Sequence, residues 1–333
     1  MTFSAAGAAA RWISPFLAVA AVAGMAVHVE PSQVGPTPAV RLASDANPLA
    51  GLPFYVNPTS KAMAAANGVD PRNPQLDAIA NTPTAYWMDN LSTPAVDAKY
   101  IAAAQGAGTI PVLALYGIPH RDCGSYAAGG FGSAASYQGW IDGVAAAIGG
   151  GPAAVILEPD ALAMADCLSG AQRQERFDLM HYAVDRLTAN PATAVYVDAG
   201  HSRWTSVDEM AARLNQVGVA KARGFSLNTA NFFTTGEEIG YGDAISGLTG
   251  GKPYVIDTSR NGAGPAEGEM YWCNPSGRAL GARPTTDTGN GNIDAFLWVK
   301  RPGESDGSCG SGEPGAGRFV NSFAIDLARN AGW

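Results

Sequence analysis

Residues 153–167 read AAVILEPDALAMADC, and this stretch decides the fold. Five apolar residues in a row make a strand buried on both faces, as in a parallel sheet covered by helices. The run breaks at Glu158-Pro159 and leaves a carboxylate, Asp160, just past the strand end. In α/β enzymes the chemistry sits at that end of the strands. The same pattern recurs at VLALYGIPHRD (Asp122), AVYVD (Asp198), YVID (Asp257) and AFLWVKRPGESD (Glu304, Asp306). Acids repeated at strand ends predict a site on one barrel rim.

Further apolar runs at PFYV, AYWM, IPVLAL, AAVIL, AVYV, GFSLN, PYVID and AFLWV predict seven or eight strands. Between them, TPAVDAKYIAAAQ, SYQGWIDGVAAAIG, AQRQERFDLMHYAVDRL and SVDEMAARLNQVG have helical periodicity, and Ser or Thr opens several of these segments. The final helix is expected to begin near Arg318. This alternation predicts an α/β fold: a single distorted, incomplete (β/α) barrel of TIM type with parallel strands. A doubly wound open sheet is the alternative, but no glycine fingerprint follows the first strand. The one G-x-G-x-x-G match, residues 310–315, contains Pro314 and reads as a turn.

With 333 residues, 47% hydrophobic and 15% charged, the chain can bury one large core and is not a disordered or nucleic-acid-binding sequence. The net charge of -8 provides no basic footprint for phosphates or anionic lipid. Arg11 precedes WISPFLAVAAVAGMAVHV, read as an export signal or an uncleaved membrane anchor over residues 1–29. A Pro-rich spacer follows over 30–46, and one globular domain is expected over 47–333. The chain is thus expected outside the cell, secreted or anchored. Cys123, Cys167, Cys273 and Cys309 form an even set compatible with two disulfides in three connectivities. Nearest-neighbour pairing is preferred because it braces the loops that carry acids, each closure contributing ~3–4 kcal/mol. No cysteine or histidine spacing suggests a metal site.

Clustered acids without a serine elbow, a P-loop or a metal motif leave carboxylate-pair chemistry, in which one acid is held protonated and another accepts a proton from water. Trp204, Trp272, Tyr55, Tyr116 and Phe232 fall at or just after strand ends, where flat faces can hold sugar rings. The stretches NPLAGLPFYVNP, YGIPHRDCGSYAAGG, VILEPDALA, VYVDAGHSRW, RGFSLNTANF, VIDTSRNG, YWCNPSGRALGARPTT and DAFLWVKRPGESDG, in this order, resemble family 6 of the glycoside hydrolases, the inverting β-1,4-glucanases.

The resemblance implies that Asp160 is the general acid and that the charge of Asp122 keeps it protonated. It places Asp306 at the position proposed for the base, a role that a water chain is also argued to fill. Tyr116 would favour distortion of the sugar at the cleavage point, and Asp198 would lie near the same ring. Lys300 and Glu304 would hydrogen-bond that region. Tyr55, Asn57, His201, Trp204, Asn231, Arg260 and Trp272 fall on substrate-contact positions, with Tyr55 standing where the family often has tryptophan. The substrate would be a β-1,4-glucan, cut with inversion if acid and base stand roughly 6.5–9.5 Å apart, without cofactor and by a monomer.

Structural roles remain open for several of these residues. Asp160 could cap a helix, Asp122 could close a turn, and Asp198 could be a buried structural acid. Asp257 is read as structural, pairing with Arg260, while His201 could be a core residue and Trp272 could pack on a disulfide. Short loops after Asp122 and Asp306 favour an open cleft and an endoglucanase without a cellulose-binding module. A cellobiohydrolase or a non-catalytic glucan-binding protein is the alternative.

Overall fold

The computed structural model describes residues 46–309, 312 and 314–333. The expected export segment, the spacer up to residue 45 and part of the glycine match at 310–315 lie outside them. Asn47–Trp333 forms one compact unit. In chain order its elements are α1 (Lys61–Asn67), α2 (Pro74–Ala80), β1 (Tyr86–Met88), α3 (Pro94–Gly106), β2 (Val112–Leu115), α4 (Ala134–Ile148), β3 (Ala153–Leu157), α5 (Gly170–Leu187), β4 (Thr193–Asp198), α6 (Val207–Gln216), β5 (Gly224–Leu227), α7 (Thr235–Leu248), β6 (Tyr254–Asp257), β7 (Ile293–Leu297) and α8 (Asn321–Asn330).

The strands form one sheet in the order β1-β2-β3-β4-β5-β6-β7, every pair parallel. Helices α3 to α7 each link consecutive strands, so the chain winds in one direction and the sheet curls. Its edges approach where the Ala85 N–H donates to the Trp298 carbonyl at 2.9 Å and the Trp87 indole N–H donates to the Val299 carbonyl at 2.8 Å. The barrel is therefore incomplete, as expected, with seven strands among the described residues. The eighth candidate, PFYV, contributes only a bridge from Phe54 to Ile110. Its neighbours Asn57 and Pro58 turn the chain toward α1 instead of extending the pairing.

Both faces of the sheet are buried, which explains why the strands read as unbroken apolar runs. Ala114, Ala154, Ile156, Ala194, Tyr196, Val255, Ala295 and Leu297 share one cluster, inside the curl. Leu113, Val155, Leu157, Val195, Val197, Phe225 and Ile256 point the other way, into the layer beneath the helices. Alanines take half of these inner positions, where opposing strands converge. Ser60, Ser133, Ser169, Ser206 and Thr234 cap their helices through side-chain oxygens, each such cap contributing about 1 kcal/mol.

The last helix begins at Asn321, later than the expected start near Arg318. Arg318 accepts from the Ser305 N–H at 2.9 Å, Phe319 bridges to Glu304, and the Val320 N–H donates to the Gly303 carbonyl at 2.8 Å. These residues stay extended to brace the loop that carries Glu304 and Asp306. The disulfides are Cys123–Cys167 and Cys273–Cys309, the nearest-neighbour pairing. They join the loop after β2 to that after β3, and the loop after β6 to that after β7.

The tight inner face gives the first prediction. Ala154→Leu adds volume at a fully buried inner position beside Val112 and Ala194, and should lower unfolding free energy in urea by about 1–3 kcal/mol. An unchanged midpoint would show that the curl is open enough to take a larger side chain.

Candidate active site

The inward-facing parity of the strands continues past their last pairs. Asp198 follows Tyr196 by two residues on β4 and Asp257 follows Val255 on β6, so both carboxylates enter the C-terminal mouth of the barrel. There a cleft of about 690 Å3 is lined by residues from the loops after β1 to β7. Tyr116, Asp122, Asp160, His201, Trp204, Asn231, Trp272, Lys300, Glu304 and Asp306 all line it. Over Met164 and Trp204 it adjoins a shallower depression of about 470 Å3 beside Asp166, Glu209 and Arg213.

Asp160 sits at φ 68° two residues beyond Glu158 at φ 52°, left-handed conformations that side chains rarely adopt. It begins no helix, so the capping role does not apply. Its Oδ1 is buried without a hydrogen-bond partner among the described residues. Burial, then the negative charges of Asp198 and Asp122, push its carboxyl well above the usual carboxylate range, against a smaller opposing effect of Lys300. Burial and like charge therefore both favour the protonated form of Asp160. Tyr116 lies close by, its hydroxyl pushed up by burial and then by Asp160. The Tyr116 ring is edge-on to Trp87 at 5.4 Å and lies under the Arg121 guanidinium at 4.3 Å.

Asp198 is fully buried and does not line the cleft. Its Oδ1 accepts the Asp160 and Gly200 N–H groups at 3.0 Å each, and its Oδ2 accepts from the Ser226 hydroxyl at 3.1 Å. Burial raises its pKa to about 6 in spite of these bonds. Its contact is thus with the Asp160 backbone, closer to the structural alternative than to a sugar-facing acid. Asp122 accepts the Ala127 N–H at 2.7 Å and so also closes its loop. Burial raises its pKa against that bond and the Arg121 charge.

Asp306 is the electrostatic opposite. Its Oδ1 meets Arg260 Nη1 at 3.0 Å and Lys300 Nζ at 2.7 Å, while its Oδ2 accepts from Arg260 Nη1 at 2.8 Å and the Asn274 N–H at 3.0 Å. Burial alone would raise its pKa, but the Arg260 and Lys300 charges outweigh it and hold the carboxyl down to about 2. Arg260 therefore pairs with Asp306, not with Asp257 as the sequence suggested. Asp257 instead accepts the N–H groups of Ala230, Ser259 and Lys300. Glu304 bonds Arg301 at 2.7 Å and Lys61 at 3.4 Å, so it and Lys300 serve separate ion-pair groups.

His201 is both core and rim. Its ring stacks on Phe233 at 4.1 Å, stands 5.0 Å from Trp204 and lines the cleft, and burial lowers its pKa to about 3, so it is neutral. Trp272 faces Tyr126 with ring centroids 5.5 Å apart, joining the loop after β2 to the one after β6. Asn231 keeps Oδ1 without a partner among the described residues. Tyr55 packs edge-on against Tyr100 at 5.4 Å, and Asn57 caps a local turn and lines a separate small pocket beside Arg301 and Glu304. Arg260 does not line the cleft either.

The sequence reading missed Trp87, Arg121, Tyr126 and Tyr271, which do line it. Trp87 and Arg121 stand next to a strand end and an acid, a usable signal; Tyr126, inside a run of small residues, gives none. No group of three His, Cys, Asp or Glu among the described residues could hold a metal.

Residues 49–331 match the family model described as Glycosyl hydrolases family 6. Endoglucanase A of Cellulomonas fimi is 49% identical over 287 residues, 84% of this chain and 62% of that protein. Endoglucanase 1 of Streptomyces halstedii is 44% identical, covering 82% of this chain and 88% of its own. The solved endoglucanase Cel6 from Mycobacterium tuberculosis, in complex with methyl-cellobiosyl-4-deoxy-4-thio-β-D-cellobioside, superposes with a TM-score of 0.85 at 67% identity, covering 86% of this chain and 100% of that one. The chain thus spans about three-fifths of the length of the Cellulomonas relative.

Two predictions follow from the charges. Asp122→Asn removes a negative neighbour, so the Asp160 carboxyl should lose its proton at lower pH, read from its 13C shift; an unmoved midpoint would mean that burial and Asp198 hold the proton without Asp122. Lys300→Met removes one of the two cations on Asp306 and should raise its pKa from about 2. A depressed pKa of this kind adds stability that is present above pH ~4 and lost as pH falls through about 2. The variant should therefore lose less stability than the parent between those limits, measured by urea unfolding at stepped pH.

Proposed function

The chain belongs to glycosyl hydrolases family 6, and on that premise we propose that it is an exported endo-β-1,4-glucanase acting on soluble or amorphous glucan with inversion. The observation that carries this reading is the buried Asp160, one oxygen unpartnered and its pKa raised by burial and by neighbouring carboxylates, in a cleft walled by Trp87, Trp204, Tyr271 and Trp272. A carboxylic acid kept protonated at neutral pH can donate to a glycosidic oxygen as the bond breaks. The negative charges of Asp122 and Asp198 hold that proton until the leaving oxygen takes it. Aromatic faces bind pyranose rings while Asn231, Lys300 and Glu304 supply polar contacts along the cleft. The reaction needs only carboxylates and water.

Endo action is supported by the names of the relatives at 49%, 44% and 67% identity, each an endoglucanase. Two disulfides suit an oxidising compartment outside the cytosol.

Asp160→Ala should lower turnover on carboxymethylcellulose by about 10²–10⁴-fold, with cellotetraose affinity within about twofold of the parent. Viscosity and reducing ends followed together provide the test. A steep early viscosity fall that the substitution abolishes supports internal cutting by this acid. Reducing ends without viscosity loss would mean chain-end cutting, and near-native turnover in the variant would remove Asp160 from its role.

A further inference from the structure

The segment from Tyr116 to Arg121 carries Asp122 away from β2 without forming a helix or strand. Several of its backbone polar groups are taken up by two buried side chains. Glu158, fully buried at the end of β3, accepts the Gly117 N–H through both oxygens at 3.1 and 3.0 Å and the Ile118 N–H at 3.0 Å. Arg176, buried on α5, donates from Nη1 to the Ala161 carbonyl at 3.0 Å, and from Nη2 to the carbonyls of Pro119 at 3.3 Å and His120 at 2.7 Å. One guanidinium therefore ties the carbonyl two residues before Asp122 to the carbonyl one residue after Asp160.

Arg176 does not line the cleft, and it makes no ion pair with a carboxylate among the described residues. Its charge is met by three carbonyl dipoles and by the field of Glu158. A buried cation so placed is expensive to desolvate, and what it secures is the relation between the two loops. The Cys123–Cys167 disulfide joins the same loops, but its far end lies seven residues beyond Asp160.

We propose that Arg176 is a positioning residue: by bonding Pro119, His120 and Ala161 at once, it fixes the separation of the Asp122 and Asp160 carboxyl groups on which acid action depends. The inference rests on the reading of Asp160 as the acid. Asp160 is faced by Asp198 from β4, Asp122 from the loop after β2, Lys300 after β7, and the hydroxyls of Tyr116 and Tyr271. Asp122 is faced by Arg121, and Arg176 by Glu158 and Tyr116. If Asp122 drifts from Asp160, the like charge that disfavours ionisation weakens.

The test is a carbon-13 titration of the Asp160 carboxyl in the full chain, comparing the parent with Arg176→Lys, Arg176→Gln, Asp122→Asn and the double variant Asp122→Asn/Arg176→Lys. Lysine keeps the charge but lacks the planar fork needed to reach three carbonyls. The expected result is a rise of about tenfold in the Asp160 dissociation constant for each single variant, with little further change in the double variant, because Arg176 acts through Asp122. Turnover on carboxymethylcellulose should fall in parallel, with KM within about twofold. A folded Arg176→Lys with an unmoved Asp160 midpoint, or a double variant whose effects simply add, would overturn the proposal. Should neither Arg176 variant fold, Glu158→Gln loosens the same turn from its other side: a comparable rise supports the clamp and an unmoved midpoint overturns it. A parent protein that does not cut carboxymethylcellulose would sink the glucanase reading, whereas an active parent with unmoved variants would sink the positioning role alone.

Discussion

If Asp160 is the proposed acid, its carboxyl group has to hold its proton at the edge of water, and much of this structure bears on that requirement. Burial raises the Asp160 pKa, and two further carboxylates are brought toward it, an arrangement that opposes folding at every pH where they ionise. The backbone at Asp160 and Glu158 is held in the left-handed region, adding local strain of about 1–3 kcal/mol at each. Asp198 offsets part of this by accepting the Asp160 N–H with the same carboxylate whose charge holds the Asp160 proton. Position and electrostatics are thus supplied by one side chain.

The barrel makes the arrangement possible because alternate strand residues share its interior. Alanines at 114, 154, 194 and 295 let the strands converge, and the next inward positions at the mouth are Asp198, Ser226 and Asp257. The helical layer then reaches upward with arginines. Arg213 on α6 donates to the Leu162 carbonyl and binds both oxygens of Asp166, as Arg176 on α5 holds the carbonyls on either side of the acid pair. Irregular loops are fixed by buried guanidinium groups where no ladder is available to satisfy their carbonyls.

What could be read in the sequence follows from these facts. β3 and β4 announce themselves because both faces are buried, so their runs are apolar without alternation, and acids stand out where the runs stop. Asp122, Asp160 and Asp306 were legible for that reason. PFYV looked equally apolar, yet whether a run pairs along its length depends on the partner edge, which only Ile110 supplies. The partner of Arg260 was misread because proximity in sequence favoured Asp257, whereas the loop after β7 brings Asp306 to it from 46 positions away. Asp198 looked like a cleft acid until the turn at Gly200 and the bond to the Asp160 N–H directed it inward. Tyr126 and Arg176 carry no local signal at all, since their roles depend on meetings between distant loops.

The two kinds of acid in the cleft bear on where a proton goes when water attacks. Asp306 has both oxygens engaged, by Arg260, Lys300 and the Asn274 N–H, and a pKa near 2, so it takes a proton only at the expense of two ion pairs. Such a group is a weak base and a strong source of fixed negative field. Asp122 has a raised pKa and its carboxylate accepts one backbone N–H, that of Ala127, leaving it more able to accept a proton. In the proposed reaction, Asp160 gives up its proton as the glycosidic oxygen leaves. If the proton from water travels along bound waters to Asp122, the pair carries one negative charge before and after the step. If it goes to Asp306, two ionised carboxylates are left side by side in a buried site. On the proposed reading of Asp160 as the acid, charge balance within the Asp122–Asp160 pair favours Asp122 over Asp306 as the final holder of the proton from water, and the ion pairs of Asp306 suit it to orienting the cleft.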